Sequence, residues 1–323
     1  MRTYTRIGSL IAALALFTLS AQAQTYPSKP INVVIGFTAG GTTDVIMRLV
    51  GERLTKTWGQ PIIIDNKPGA GGNIAAELVA KAKSDGYTLL MSSGGPLTVN
   101  VSLYKSLPYD AQRDFAPVTQ VVDVPNMLVV TPSVQAKTVQ EFVALAKADP
   151  NKYFFATTGN GTQSHLTAEM FKQRAGINLT HVPYRGAVAL TDLLSGQSVH
   201  CMFATTPSVI QYVRSGKLRA LAVTGLKRAT SAPDLPTIAE SGYPDFDSSS
   251  WFGLVGPAGM PHEVVAKIQS EIARAMKDST LHAKLVQMGA DPVGSTAEEF
   301  GAFMRAETVR WGKVVKAAHM SVD

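Results

Sequence analysis

The chain has 323 residues, 45% of them apolar, and 30 Lys and Arg against 24 Asp and Glu give a net charge of +6. That length can bury a large core and form more than one domain, and the scattered basic residues, with no Lys/Arg run interleaved with aromatics, exclude a nucleic-acid surface. A single cysteine, Cys201, excludes a disulfide framework and a cysteine metal site.

Residues 1–23 read as a secretory signal peptide. Arg2 and Arg6 form a basic head, Ile7 to Leu19 is mostly apolar, and Ala21-Gln22-Ala23 is a small-x-small cleavage site. The apolar run is too short to span a bilayer comfortably. The mature chain is therefore expected to start at Gln24 in the periplasm. Mild positive charge in an exported protein favours encounter with small anions.

Ile31 to Phe37 is β-branched and apolar, as a strand covered on both faces would be. Gly40-Gly41 allows a tight turn. Thr42, Thr43 or Asp44 is expected to cap a helix that places Ile46, Leu49, Val50 and Leu54 on one face. Such a turn presents free backbone N–H groups and the positive end of a helix to an anion. The same residues also suit an ordinary strand–helix connection with no ligand.

Pro61 to Asn66 predicts a second strand, Lys67-Pro68-Gly69-Ala70-Gly71-Gly72 a second glycine turn, and Ala75 to Lys83 a helix. Glycine turns on neighbouring parallel strands open on one sheet edge, where ligands bind. Neither has the spacing of a dinucleotide fingerprint or a phosphate loop, so no nucleotide cofactor is expected. Tyr87 to Met91 is a third strand, ending in Ser92-Ser93-Gly94-Gly95. Leu107 to Val118 reads as a turn-rich connector.

Met127 to Val130 predicts a strand and Val139 to Ala148 a helix. Phe154 to Leu166 repeats the strand, Gly-x-Gly turn and helix start, which suggests a second domain of the same style. His181 to Gly186 is a strand end before a helix around Leu190 to Leu194. Val199 to Ala204 reads as a strand that buries Cys201. Leu218 to Thr224 and Trp251 to Pro257 are further strands, separated by a loop at Ala232 to Thr237. Val264, Val265, Ile268 and Ile272, then Phe300, Met304, Trp311 and Val315, recur at helical spacing.

Catalytic patterns fail. Ser164 and His165 are adjacent, so on a helix start they diverge by about 100° and form no nucleophile–base pair. There is no Gly-x-Ser-x-Gly elbow, and the six histidines show no metal-ligand spacing.

In order and spacing, several segments resemble the Bug family, the TctC-like substrate-binding proteins of tripartite tricarboxylate transporters. They are Gly40 to Asp44, Asn66 to Gly72, Leu103 to Asp110 and Gly159 to Leu166, followed by His181 to Gly186, Lys217 to Thr224 and Trp251 to Val255. The resemblance implies an α/β fold of the periplasmic binding protein type II kind. It has two α/β domains, a cleft between them and two hinge crossings. Residues 24–125 and 228–323 would form domain one and residues 126–227 domain two. The implied protein is not an enzyme. It captures a small organic carboxylate (a di- or tricarboxylate, an aromatic acid or an amino acid) by hinge closure. It hands the ligand, as a monomer, to membrane permease subunits; a sensor reporting to a membrane signalling partner is the alternative.

By the same resemblance, backbone N–H groups, hydroxyls and ordered waters grip the carboxylate. In domain one the grip falls on Phe37, Thr38, Ala39, Gly40, Gly41, Thr42 and Thr43, on Ala70, Gly71 and Gly72, and on Ser92 and Ser93. In domain two it falls on Gly161, Thr162, Ser164 and His165, on Tyr184 and Arg185, and on Ala204, Thr205 and Thr206. His165 either touches ligand or hydrogen-bonds the turn and holds it rigid. Arg185 either binds a second acidic group or is a solvated strand-end charge. Tyr184 either stacks on a flat ligand or packs in the hinge. The chain departs from the family's pattern at Thr38-Ala39, where prolines are frequent, and at Val101, where proline is usual. Gly186 to Leu190 also lacks a proline and is one residue short, so pocket size is not borrowed from relatives.

Overall fold

The computed structural model describes residues 26–317 and 320–322. The expected signal peptide and the cleavage site after Ala23 lie outside the described residues.

A parallel unit opens the fold. Strand β1 (Ile31–Ile35) lies between β2 (Ile62–Asn66) and β3 (Thr88–Ser93). Helix α1 (Thr42–Trp58) buries Ile46, Met47, Val50 and Leu54 against this unit and stops at Gly59, whose φ of 66° is the left-handed conformation that ends helices. Helix α2 (Asn73–Ala80) follows β2, and α3 (Asn100–Leu103) follows β3 after a turn at Gly95–Val99. The expected start of α2 at Ala75 moves back to Asn73.

Strand β4 (Phe115–Val130) is the long element that links everything else. Its first part, Phe115 to Pro125, pairs antiparallel with β9 (Ser249–Pro257), which also pairs with β3. Its second part, Asn126 to Val130, pairs with β7 (Cys201–Thr205) and β8 (Arg219–Val223). The expected connector at Leu107 to Val118 thus gives way to strand from Phe115 onward. Pro117 and two register shifts interrupt its ladder, which is where a strand tolerates proline.

Beyond β4 a second unit repeats the pattern of the first. It contains α4 (Val139–Ala148), β5 (Phe154–Thr157), α5 (Gln163–Ala175), β6 (Thr180–Pro183), α6 (Val188–Ser195) and α7 (Thr206–Arg214), with β5 parallel to β6 and β7. Phe142, Phe155, Phe171 and Phe203 fill its core, and Ile238 and Phe246 from the segment after β8 join them. The chain then returns. Helices α8 (His262–Met276) and α9 (Ser279–Met288), the short β10 (Asp291–Pro292) and α10 (Ala297–Ala317) complete the fold. Ile268 and Ile272 pack with the β1 core, and Phe300 and Met304 pack with Trp251.

The two passages between the units are tied by buried polar groups. Thr224 N–H donates to Asn126 O at 2.9 Å, Ser248 N–H to Thr224 O at 2.9 Å, and Ser250 Oγ to Asn126 Oδ1 at 3.0 Å. Asn126, Thr224 and Ser248 are fully buried, so a satisfied network of this kind fixes where the chain crosses.

Candidate functional site

The opening turn is built around an ion pair. Arg48 grips Asp44 through Nε and Nη2, both at 2.9 Å, and Gly40 N–H donates to Asp44 Oδ2 at 2.9 Å. Burial alone would raise the Asp44 carboxyl, but the Arg48, Gly40 and Asn66 contacts outweigh it and hold it below the usual carboxylate range. Asp44 therefore fixes the turn and does not cap the helix. Gly41 occupies the cap position of α1 and no side chain caps it, contrary to the expectation for Thr42, Thr43 or Asp44. The left-handed conformation falls on Gly40, with φ of 80°, whereas Gly41 is extended.

The facing turn, Gly159 to Thr162, opens α5. Thr162 Oγ1 donates to Gly159 O at 2.7 Å, and Ser164 Oγ accepts from Thr158 N–H at 3.2 Å. His165 Nδ1 accepts from Gly161 N–H at 3.3 Å. Its ring stacks on His181 at 4.1 Å between centroids, and His181 stacks on Phe155 at 4.8 Å. An acceptor at Nδ1 requires a neutral ring with its proton on Nε2. Burial, then the neighbouring His181 and Lys172, push His165 down to about 3; burial, then Lys172, push His181 down to about 4. As pH falls below about 6.5 the unfolded chain takes up protons that this pair refuses, so its contribution to stability declines until the rings titrate. Both rings are expected to keep neutral-imidazole NMR signals down to about pH 5. A midpoint near 6.5 for either would contradict the stack.

Between the turns lies a cavity of about 90 Å³. Among the expected residues, Phe37, Thr38, Gly41, Thr42, Thr43 and Ser93 line it from the first unit, and Thr162, Ser164, Ala204 and Thr205 from the second. A separate outer chamber of about 370 Å³ collects Ala70, Gly71, Gly72, Tyr184 and Arg185. Ala39, Gly40, Ser92, Gly161, His165 and Thr206 line neither space. Thr206 Oγ1 instead donates to Pro125 O at 2.7 Å, at the crossing. Tyr184 donates its hydroxyl to Asp192 of α6, and burial together with that carboxylate pushes its own ionisation up to about 12. Arg185 is exposed and makes no ion pair among the described residues.

Sequence reading missed Asn126, Gln163, Ser250 and Phe252, which also line the inner cavity. Asn126 carried a faint signal, a polar residue next to the apolar run Met127 to Val130; Ser250, third in the run Ser248-Ser249-Ser250, carried none. Phe252 carried none that separates it from core.

No charged side chain among the described residues lines the inner cavity. Its polarity comes from backbone. Helices α1, α5, α6 and α7 all begin at its wall, at Gly41, Thr162, Ala187 and Thr205, and none has a capping side chain. Each N-terminus carries roughly half a positive charge, though at α6 the Ala189 and Leu190 N–H groups already bond Gly186 O and Ala187 O, and α7 has Pro207, which has no N–H, in its first turn. Together the N-termini favour an anion in this space without a cation. The units also touch across the cleft, where Thr42 Oγ1 and Thr205 Oγ1 share a hydrogen bond of 2.6 Å. Among the described residues no group of three His, Cys, Asp or Glu is placed to hold a metal ion.

A cleft between two α/β units of one sheet, ringed by helix N-termini, defines a solute-binding protein. Residues 46–320 match the tripartite tricarboxylate transporter family receptor, TctC, and the chain belongs to that family. BugT of Bordetella pertussis is 37% identical over 315 residues, covering 95% of this chain and 96% of BugT. Rpa4515 of R. palustris, solved with adipate, superposes with a TM-score of 0.89 at 36% identity, covering 92% of this chain and 100% of that one. MatC of Rhodopseudomonas palustris, solved with bound malate, superposes with a TM-score of 0.85 at 32% identity, covering 90% of this chain and 100% of that one. The fold is that of these periplasmic binding proteins.

Proposed function

We propose that this chain is a periplasmic receptor, a monomer, that closes around a small carboxylate and presents it to the permease of a tripartite tricarboxylate-type transporter. The observation that carries this reading is the uncharged cavity ringed by uncapped helix N-termini. Such a site holds an anion and offers no ionisable group for general acid–base work. Its family and the acids bound by Rpa4515 and MatC support the same class of ligand. Residues 126–247 act as one lobe, because Ile238 and Phe246 pack in the second core. The return crossing then falls at Ser248, later than the boundary at 227 expected from sequence. The remaining described residues act as the other lobe.

A thermal-shift screen of aliphatic mono-, di- and tricarboxylates tests the reading. A true ligand at about 100 times its dissociation constant adds about 2.7 kcal/mol of stability. Small-angle scattering on the same samples should show compaction. Absence of any shift across the acids would defeat the proposal.

A further inference from the structure

The inner cavity and the outer chamber adjoin, with Phe37, Thr158 and Gly186 lining both. Thr38, in the opening turn, meets Gly186 and Ala187 of the other unit. Ala187 N–H donates to Thr38 Oγ1 at 3.1 Å. A Cβ on Gly186 would lie 2.6 Å from that same oxygen, and Gly186 has φ of 64°, so the approach depends on a residue with no side chain. Arg185, the charged residue of this region, stands on the outer side.

We propose that Thr38 sets the length of ligand this receptor accepts. Seated on Ala187, its side chain closes the inner cavity and selects a short aliphatic carboxylate whose far end never reaches Arg185. This proposal rests on the receptor reading and deepens it. At about 90 Å³ the inner space is about a quarter of the outer chamber's 370 Å³, so the acids to compare are four-carbon succinate and butyrate against eight-carbon suberate and octanoate. Removing the Thr38 side chain joins the inner space to the outer chamber, so a longer acid gains room in the direction of Arg185. The hydroxyl also satisfies the Ala187 N–H, which ties the partition to the closed form.

The test is titration calorimetry with succinate, butyrate, suberate and octanoate on the wild type, Thr38→Gly and Thr38→Ser, each first shown to be folded by circular dichroism. The wild type should favour the short acids by about tenfold or more, the scale on which a filled pocket rejects extra methylenes. Thr38→Gly should lose most of that preference by binding the long acids better, and Thr38→Ser, which keeps the hydroxyl, should retain it. The ratio of affinities is the readout, so a general weakening of binding does not mimic the effect. The proposal is overturned if the wild type binds suberate as tightly as succinate, or if folded Thr38→Gly keeps the wild-type ratio. If none of the four acids binds any of the three proteins, the length proposal falls, while the receptor reading is decided separately by the wider screen of mono-, di- and tricarboxylates.

Discussion

Gly71→Ala should cost about a hundredfold or more in affinity for the bound acid while leaving both lobes folded. The reason is a contact between the two units, which closure around a ligand would have to preserve. A Cβ on Gly71 would lie 2.6 Å from the backbone oxygen of Asn160, which belongs to the other unit. That oxygen has little freedom to retreat, because the Thr162–Gly159 and His165–Gly161 hydrogen bonds brace its turn. Within its own unit the nearest atom to the added methyl is the Tyr104 hydroxyl oxygen, at an ordinary 3.5 Å. Gly71 also has φ of 62°, where alanine costs about 1–2 kcal/mol of fold stability. Gly176→Ala supplies the control, since Gly176 has φ of 61° and open space around it. Closure is linked to affinity by population. If the methyl disfavours the closed state by about 3 kcal/mol, apparent affinity drops by roughly two orders of magnitude. Calorimetry measures the affinity, a melting curve the fold, and scattering the missing compaction. Wild-type affinity in a folded Gly71→Ala protein would remove closure from the binding mechanism.

The two parallel units were legible in the sequence for a local reason. Ile31 to Ile35 and Phe154 to Thr157 are strands that announce themselves by composition, and each runs into glycine and a helix start. What the sequence did not disclose depends on contacts between distant residues. The first part of β4 carries Pro117, Gln120, Asp123 and Pro125, so it has neither the alternation of a half-buried strand nor the apolar run of a buried one. It is a strand because β9, more than a hundred residues later, pairs with it. The site shows the same division. The glycine turns were readable, but their allotment to an inner cavity or an outer chamber was not. Ala70 to Gly72 and Arg185 line one space with Asn160 because the two units meet there, and nothing near them in the chain encodes that. The sequence neighbours of His165 suit two roles equally. The stack on His181 and the bond to Gly161 show what it touches, and both arise from tertiary contacts.

The second large effect concerns the backbone of the opening turn, and a pair of substitutions at Thr42 isolates it. Thr42 is the first residue of α1, lines the cavity, and follows an uncapped Gly41. Thr42→Val removes the hydroxyl shared with Thr205 but keeps the N–H. Thr42→Pro removes both. Proline is well tolerated at the first helical position, where the N–H has no intrahelical partner. Gly41, with φ of −74° and ψ of 167°, already has the extended conformation that a residue before proline needs. The helix should therefore form in both variants, and Val45 N–H can still reach Gly41 O, now at 3.0 Å. If the N–H of residue 42 points at the ligand's carboxylate, its loss costs about 1.5–3 kcal/mol beyond the loss seen in Thr42→Val. Calorimetry should then place Thr42→Pro roughly tenfold to a hundredfold weaker than Thr42→Val. Equal affinities in the two folded variants would mean that this amide does not hold the anion. The charge at the mouth, Arg185, would then have to be re-examined by Arg185→Ala, a substitution that the backbone site predicts to change affinity by less than about threefold.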